Sequence, residues 1–375
     1  MMKKKTIIIS VLFFLFFAGT GLLVKNFTDY KSKANAYLLD CDLFNADRVF
    51  VYSGNGGPCE FLKDGSYFRG KRLSQTTHDI SHFSANDVVL WSKPIPHHHM
   101  FALSHDERLL YILSAELKPW RNKTTRFDTI LALDVATGNE VYHWSIYDIK
   151  DMMEKQHGSP VPAMLETNPD HQYLPVHYDY EFSHMNAINL IPTNLQNDLN
   201  AELIVNTGRG VELFFTRDLK LVGQLVIDGF WSVNSHDAQI TPKGELLLYK
   251  NWNEGMPGAS LEKYNLTEKK RIWHFDKHPD GTIFNSSKFG SVQELEEGGF
   301  VYTDMDKGGH FTEIDKDGNK VVDFFSPDKD PRDHLPFTFI KIRKLKYKEM
   351  NKKFQSLMDE DLKRFWFSGL YKNFL

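Results

Sequence analysis

The chain of 375 residues has little cysteine and no marked excess of either charge. It contains two cysteines, Cys41 and Cys59, and carries a formal net charge of −4. Two thiols exclude a disulfide-rich scaffold, and the near balance of charge removes any electrostatic case for binding nucleic acid. In an oxidising compartment the two cysteines would close a short loop; the alternative is two unpaired buried thiols.

The chain also lacks the short motifs that mark common catalytic sites. It has no H-E-x-x-H and no C-x-x-C, and the glycine-rich residues 51–59 lack the lysine and the helix of a phosphate loop. Asp315 and Asp317 suggest a calcium loop, but Ser326 stands where the bidentate acid would be required. From these patterns we expect no cofactor.

Long apolar runs are absent except for one, at residues 6–24, which three lysines precede and a lysine closes. A helix of about 20 apolar residues crosses a bilayer, and positive charges before it stay in the cytoplasm. We therefore interpret residues 1–25 as a signal anchor and transmembrane helix, and residues 26–44 as a polar stalk. The small residues 18–21 leave a cleaved signal peptide as the alternative.

What the chain does contain is a repeated pattern of strand, tight turn and strand. Its clearest copy is S-H-D-A-Q-I-T-P-K-G-E-L-L-L-Y-K-N, which has His236 at its start, and other copies start at His99, His184 and Gly290. The last three starts are 52 and 54 residues apart. A period of about 40 to 50 residues with several short strands per unit indicates a β-propeller.

The propeller is predicted over residues 45–347, where short apolar runs alternate with turn residues. Two insertions interrupt the pattern. Residues 149–180 contain a predicted short helix near 150–156, and residues 193–200 lengthen the copy that His184 opens. Beyond the propeller, apolar residues recur at helical spacing and predict an amphipathic helix over 348–375. We expect this helix to pack on the propeller, with docking on a partner or a membrane as the alternative.

Equivalent positions of propeller blades lie at one height around one axis, so His99, His184 and His236 are expected to converge at one end of the central channel. A neutral imidazole is a competent nucleophile at pH 7, and cationic groups hold the oxygens of a transferred anionic group. Arg209, in N-T-G-R-G, is placed to reach the same end. A three-histidine zinc site, or histidines and an arginine without chemical function, are the alternatives.

Four segments, in this order, resemble the arylsulfotransferase family of bacterial enzymes that do not use 3′-phosphoadenylyl sulfate: H-M-N-A-I-N-L-I-P, L-I-V-N-T-G-R-G, the His236 segment above, and G-S-V-Q-E-L-E-E-G-G-F-V-Y. The resemblance covers residues 128–323. It implies a six-bladed propeller in the periplasm, which the predicted anchor would hold at the bacterial inner membrane. It also implies transfer of a sulfuryl group from an aryl sulfate to a phenolic or glycan acceptor through a sulfohistidine.

The family's site residues have matches at six positions of this chain: His99, His184, Asn186, Arg209, His236 and Ser291. The resemblance implies that His236 is the nucleophile and that His184 or His99 protonates the departing phenolate. It implies that Asn186 and Arg209 hold the sulfuryl oxygens, and it matches the family's hydroxyl residue to Ser291. Next to His99, His97 and His98 compete for the same position.

A second interpretation places the protein in another functional class. The predicted anchor, and the absence of the amino-terminal β-domain of the best-known family members, favour a membrane-tethered binding or scaffold propeller without turnover. Propellers host many unrelated functions, so the fold alone does not choose between the two.

Overall fold

The computed structural model describes residues 35–39, 42–45, 50–52, 58–72, 78–157, 180–207, 210–226, 235–251, 258–284, 286, 290–304, 310–325, 342–346, 350 and 352–359. The predicted anchor, residues 1–25, and Arg209 lie outside them. Within these ranges, no helix combines the length and apolarity that a bilayer crossing requires. Cys59 is disulfide-bonded; Cys41, the only other cysteine of the chain, lies outside the described residues.

The described strands form antiparallel sheets, and in each sheet four strands lie side by side, every strand hydrogen-bonded to the next. The sheet built from the two ends of the chain contains β1 (Asn35–Leu39), β2 (Asp42–Asn45), β3 (Phe50–Tyr52) and β25 (Ile342–Lys346), in the order β25-β1-β2-β3. Five further sheets each consist of strands that follow one another: β4 (Cys59–Phe61), β5 (Tyr67–Arg72), β6 (His78–Phe83), β7 (Val89–Lys93); β8 (Phe101–Leu103), β9 (Leu109–Trp120), β10 (Lys123–Asp134), β11 (Glu140–Ser145); β13 (Ala187–Leu190), β14 (Leu203–Asn206), β15 (Val211–Phe215), β16 (Leu221–Val226); β17 (Ser235–Ile240), β18 (Glu245–Lys250), β19 (Ser260–Asn265), β20 (Lys270–Phe275); β21 (Val292–Glu294), β22 (Phe300–Asp304), β23 (His310–Ile314), β24 (Lys320–Phe325). β12 (Tyr180–Glu181) adds to β10 in parallel.

The first strand of each sheet lines one central cavity of about 440 Å³. The strands contribute to its wall, among other residues, Glu60, Ala102, Asn189, Gln239, Gln293 and Arg343. Sheets that each turn one edge strand to a common channel are the arrangement of a β-propeller, and the predicted all-β propeller is confirmed. Five blades each consist of strands that follow one another in the chain, whereas the prediction was six blades. The remaining sheet, which we call the composite sheet, combines β1, β2 and β3 with β25, because β25 pairs with β1.

The predicted stalk is wrong over its second half. Residues 35–39 and 42–44 of the predicted stalk lie in β1 and β2. Their short runs, N-A-Y-L-L and D-L-F-N, show too little alternation to indicate strands alone. β1 is stabilised as a strand by its pairing with β25, about 300 residues away in the sequence. Local sequence patterns do not predict such a pairing.

The turns confirm the register of the repeat. Glu107, Gly244 and Gly298 each lie eight residues after the start of their copy of the repeat, and all three have positive φ, at 57°, 80° and 92°. In each turn the amide of that residue donates to the carbonyl three residues earlier, at Ser104, Thr241 and Leu295. Glycine adopts this conformation without steric cost, whereas Glu107 adopts it at some cost in strain.

Amide side chains on the first strands join neighbouring blades. Asn189 Nδ2 donates to Ala238 O at 2.9 Å. Gln239 Nε2 donates to Val292 O at 2.5 Å, and Gln293 Nε2 donates to Lys344 O at 3.4 Å. Each bond runs from one blade to the first strand of the next, so side-chain donors help to set the spacing of the blades around the channel.

Short helices occupy the predicted insertions. α1 (Lys150–His157) lies where a helix was expected, and α2 (Gln196–Leu199) forms within the insertion at 193–200 and ends at Asn200, whose φ is 49°. The predicted carboxyl-terminal helix is described as α3, residues 352–359.

α3 packs on the blade that contains β4. Phe354 and Met358 are each 1% exposed, and the ring centroids of Phe354 and Phe61 are 4.5 Å apart. Lys353 Nζ pairs with Asp87 Oδ1 at 2.5 Å. The described turns of this helix therefore contact the propeller, as the first of the two alternatives expected.

Candidate functional site

Three predicted residues meet at one end of the channel. His99 lies just before β8, His184 lies before β13, and His236 lies in β17. The ring centroid of His99 is 5.1 Å from that of His184 and 5.9 Å from that of His236. His99 and His236 are buried, while the His184 side chain is 28% exposed. We refer to these three residues as the histidine cluster.

The fourth matched start, Gly290, has no room for a side chain. A Cβ built on it would stand 2.2 Å from Cε1 of Tyr249, and its φ is 134°. Both facts explain why a glycine occupies the position that histidine holds in the other three copies.

The three consecutive histidines 97–99 point to different neighbours. His97 lies edge-on to Phe101, with ring centroids 5.3 Å apart. His98 Nε2 lies 3.1 Å from Ser114 O and 3.2 Å from Asp128 Oδ1. His99, whose φ is 57°, has ring contacts with both His184 and His236, whereas His98 has one with His184, at 6.2 Å between centroids. We therefore place His99 in the cluster, and its functional role stays a prediction.

His236 is oriented by a residue that the sequence interpretation did not single out. Its Nδ1 lies 2.5 Å from Asn251 Oδ1. Burial lowers the pKa of His236 to about 3; the hydrogen bond that His236 donates to Asn251 opposes this shift, and the neighbouring His184 reinforces it. At pH 7 the ring is therefore neutral, as a nucleophile requires. Asn251 ends the segment Y-K-N directly after β18, so the hairpin register was the signal available for it.

His184 is held by a buried ion-pair network. Its Nδ1 lies 2.9 Å from Glu181 Oε1, and Arg126 Nη1 pairs with the same carboxylate oxygen. Arg126 is fully buried on β10, and its Nη2 lies 2.7 Å from Asp128 Oδ1. The sequence interpretation missed this network. Its signal was the charged pair in R-F-D, inside the otherwise apolar run of β10.

Asp128 connects the blade of β8 to the backbone around His184. Its Oδ2 accepts hydrogen bonds from Ser183 Oγ at 2.7 Å and from the amide of Met185 at 2.8 Å. Burial opposes ionisation of Asp128, but Arg126 and His98 outweigh it and hold the pKa of the carboxyl well below its ordinary value. The anionic carboxylate therefore fixes the residues on both sides of His184.

Nε2 of His99 can accept a hydrogen bond, but it carries no hydrogen to donate. Its Nδ1 lies 2.9 Å from His98 Nδ1. Because His98 Nε2 faces two acceptors, it carries the hydrogen, and His98 Nδ1 accepts from His99 Nδ1. Burial, with His184 and His98 nearby, holds the pKa of His99 well below its ordinary value. That His99 or His184 serves as the acid stays a prediction, and the low pKa of His99 makes that ring the weaker candidate.

Two other predicted residues are placed differently from the expectation. Asn186 is buried, and its Nδ2 donates to Ser235 O at 2.6 Å, so its donor serves the backbone. Ser291 Oγ donates to Asp237 Oδ2 at 3.0 Å, and Ser291 lines the central cavity, which none of the cluster histidines lines. The described geometry thus leaves Ser291 outside the cluster.

The described charges around the cluster do not by themselves make an anion site. Asp128 and Glu181 are carboxylates, and Arg126 is the cation between them. Among these described residues, Arg126 is therefore already matched by two carboxylates. Metal ligation finds no support in the described part of the chain, where no three histidine, cysteine or acidic side chains are grouped to hold an ion.

Comparisons with known proteins found only a loose structural similarity. No protein-family model matches the sequence, and no curated protein matches it. Similar solved structures include a protein of unknown function from Bacteroides caccae, at 12% identity and TM-score 0.45, covering 78% of this chain and 93% of that one.

They also include a periplasmic gluconolactonase from Pseudomonas aeruginosa, at 9% identity and TM-score 0.43, covering 84% of this chain and 99% of that one. An auxiliary nutrient binding protein from Bacteroides thetaiotaomicron is 11% identical with TM-score 0.42, covering 78% of this chain and 65% of that one. Likeness at this level carries no argument about function.

Proposed function

We propose that this chain transfers a sulfuryl group from an aryl sulfate ester to the hydroxyl of an acceptor phenol or glycan, through a sulfohistidine at His236. The observation that carries the proposal is the cluster itself: a neutral, buried His236 beside a His184 that a carboxylate holds. A nucleophile with a neighbouring acid and base, the latter oriented by a third group, is the arrangement that covalent transfer needs.

In the first half-reaction, Nε2 of His236 attacks sulfur and the bond from sulfur to the aryl oxygen breaks. The electron pair stays on the departing phenolate, which takes the proton that His184 carries. Glu181 keeps the His184 ring in place through Nδ1. General acid help of this kind contributes on the order of 10² to 10⁴ in rate.

In the second half-reaction the oxygen of the acceptor hydroxyl attacks sulfur, and the bond from Nε2 to sulfur breaks with its electron pair returning to His236. The hydroxyl proton passes to His184, which restores the starting protonation state. Before the attack, the same hydroxyl donates its hydrogen bond to Nε2 of His99, which fits the low pKa of that ring, and it turns to His184 as its proton leaves. Arg209 supplies the positive charge that the sulfuryl oxygens require.

The test is an assay of the purified full-length chain with 4-nitrophenyl sulfate, with and without a phenol acceptor. We expect nitrophenolate release that depends on the acceptor, and a protein adduct of one sulfuryl group by mass spectrometry. Both signals should be absent in His236→Ala. Release without an adduct, or an adduct that persists in His236→Ala, contradicts the assignment.

We also propose that residues 1–25 anchor the chain in a bacterial inner membrane, that the propeller faces the periplasm, and that the composite sheet closes the ring as a sixth blade. The disulfide at Cys59 supports the address, because such bonds persist in oxidising compartments. Protease treatment of intact spheroplasts should degrade the propeller. Protection until the cells are lysed would contradict this topology.

One observation favours a binding propeller without turnover as the second candidate. The donor of Asn186 is engaged by Ser235 O, and the guanidinium of Arg126 is matched by two carboxylates. If neither release nor an adduct appears across a panel of aryl sulfates and acceptors, the cluster is better explained as a ligand-binding pocket.

A further inference from the structure

The contact between His236 and Asn251 determines which ring nitrogen of His236 carries the proton. Nδ1 of His236 lies 2.5 Å from Oδ1 of Asn251. Nδ2 of Asn251 lies 3.3 Å from the carbonyl oxygen of Ser286. A carbonyl only accepts, so the amide nitrogen must face Ser286 and the amide oxygen must face His236. Nδ1 therefore carries the hydrogen, and Nε2 has the lone pair.

The backbone of the β17–β18 hairpin creates this contact. Ser235 pairs with Lys250 and Asp237 pairs with Tyr249, so the register of the two strands shifts at His236. A bulge of this kind turns a side chain out of the regular alternation of a strand. Asn251 follows directly after β18, at the same end of the hairpin, where its side chain reaches the imidazole.

We propose that Asn251 is a positioning residue that holds His236 in the tautomer protonated at Nδ1, so that Nε2 is the atom that bonds to sulfur. The choice of the attacking atom rests on the proposed function, whereas the tautomer does not. An amide orients the ring without taking a proton from it. When Nε2 bonds to sulfur, the ring becomes cationic, and the hydrogen bond from Nδ1 to the amide oxygen then stabilises that charge.

The tautomer can be measured without any substrate. In the full-length chain labelled with ¹⁵N-histidine, a two-bond ¹H–¹⁵N correlation spectrum shows which ring nitrogen is protonated, and His236→Gln identifies the signal. We expect the Nδ1–H form in the wild type and a majority of the Nε2–H form in Asn251→Ala. Asn194→Ala, which removes an exposed asparagine from another turn, is the matched control and should leave the signal unchanged.

Kinetics separate a positioning role from a structural one. Asn251→Ala should lower kcat by on the order of 10² to 10⁴, with a much smaller change in KM. Asn251→Asp keeps an acceptor for Nδ1, so it should retain the tautomer and more of kcat. Its added charge favours the imidazolium, so the pH at which activity falls on acidification should rise.

A wild-type His236 protonated at Nε2, or a tautomer unchanged in Asn251→Ala, would overturn the proposal. If Asn251→Ala does not fold, as thermal unfolding will show, Asn251→Asp decides through its spectrum and pH profile, and an unshifted profile then counts against Asn251. If the tautomer is as expected and no variant or wild type transfers a sulfuryl group, the proposed function fails while the role of Asn251 in orienting the ring stands.

Discussion

At the scale of single residues, the three rings of the histidine cluster have different hydrogen-bond partners. His236 faces a neutral amide, His184 faces a carboxylate, and His99 faces a second imidazole. Burial keeps the His236 ring neutral, whereas a carboxylate stabilises the charged form of a histidine ring. The same residue type thus serves as nucleophile, as acid and base, and as acceptor in the proposed reaction.

Glu212 carries a prediction about stability. It is fully buried on β15, and burial raises its pKa to about 8, although Asn206 Nδ2 donates to its Oε1 at 2.8 Å. An ordinary glutamate titrates at about 4.3. Between these two pH values, Glu212 is protonated in the folded chain and ionised in the unfolded chain. The free energy of unfolding therefore decreases as the pH rises from about 4.3 towards 8.

Glu212→Gln removes that titration and keeps an oxygen for Asn206. We expect the free energy of unfolding, from urea titrations at pH 5 and pH 8, to fall less with pH in Glu212→Gln than in the wild type. The exposed Glu140, replaced in the same way, is the control. An equal fall in Glu212→Gln and wild type would show that Glu212 is already ionised in the folded protein.

At the scale of elements, the repeat could be read from the sequence because it depends on local patterns. The turn positions Glu107, Gly244 and Gly298 coincide in the sequence and in the structure. Glu181 and Arg126 could not be found this way, since their contact depends on how separate strands meet, whereas the register of the β17–β18 hairpin was a signal for Asn251. The pairing of Arg126 with Glu181, for example, exists only because β12 adds to β10.

α3 supports a prediction at the same scale. Phe354 is the residue that joins this helix to the ring of Phe61. Replacing a buried Phe with Ala leaves a cavity and costs about 3 to 5 kcal/mol in a protein core. We expect Phe354→Ala to lower the thermal unfolding temperature, while Ser356→Ala, on the exposed side of α3, should not. If both variants unfold at the wild-type temperature, the contact of α3 with the propeller contributes nothing to stability.

At the scale of the whole molecule, the sheet formed by β25 and β1 joins the two ends of the described chain. Sequence patterns predicted a propeller but placed its start too late. The strands of this sheet are short, and their pairing joins residues about 300 positions apart in the sequence. If the composite sheet closes the ring, as proposed, we expect the propeller to unfold as one unit when this pairing is weakened.

Ile342 tests that closure. It is 2% exposed on β25 and packs in an apolar cluster with Val301 and Phe311. Ile342→Asp buries an unpaired charge, which costs far more than the loss of one side chain, so we expect it to lower the urea midpoint of the whole propeller in a single transition. Val321→Asp places the same charge on β24 at a residue that is 56% exposed, and it should leave the midpoint unchanged.

Tryptophan fluorescence, which reports on several blades, follows the transition. A change in Ile342→Asp confined to a minor early phase would show that the five consecutive blades stand without the composite sheet, and the ring would then be closed by five.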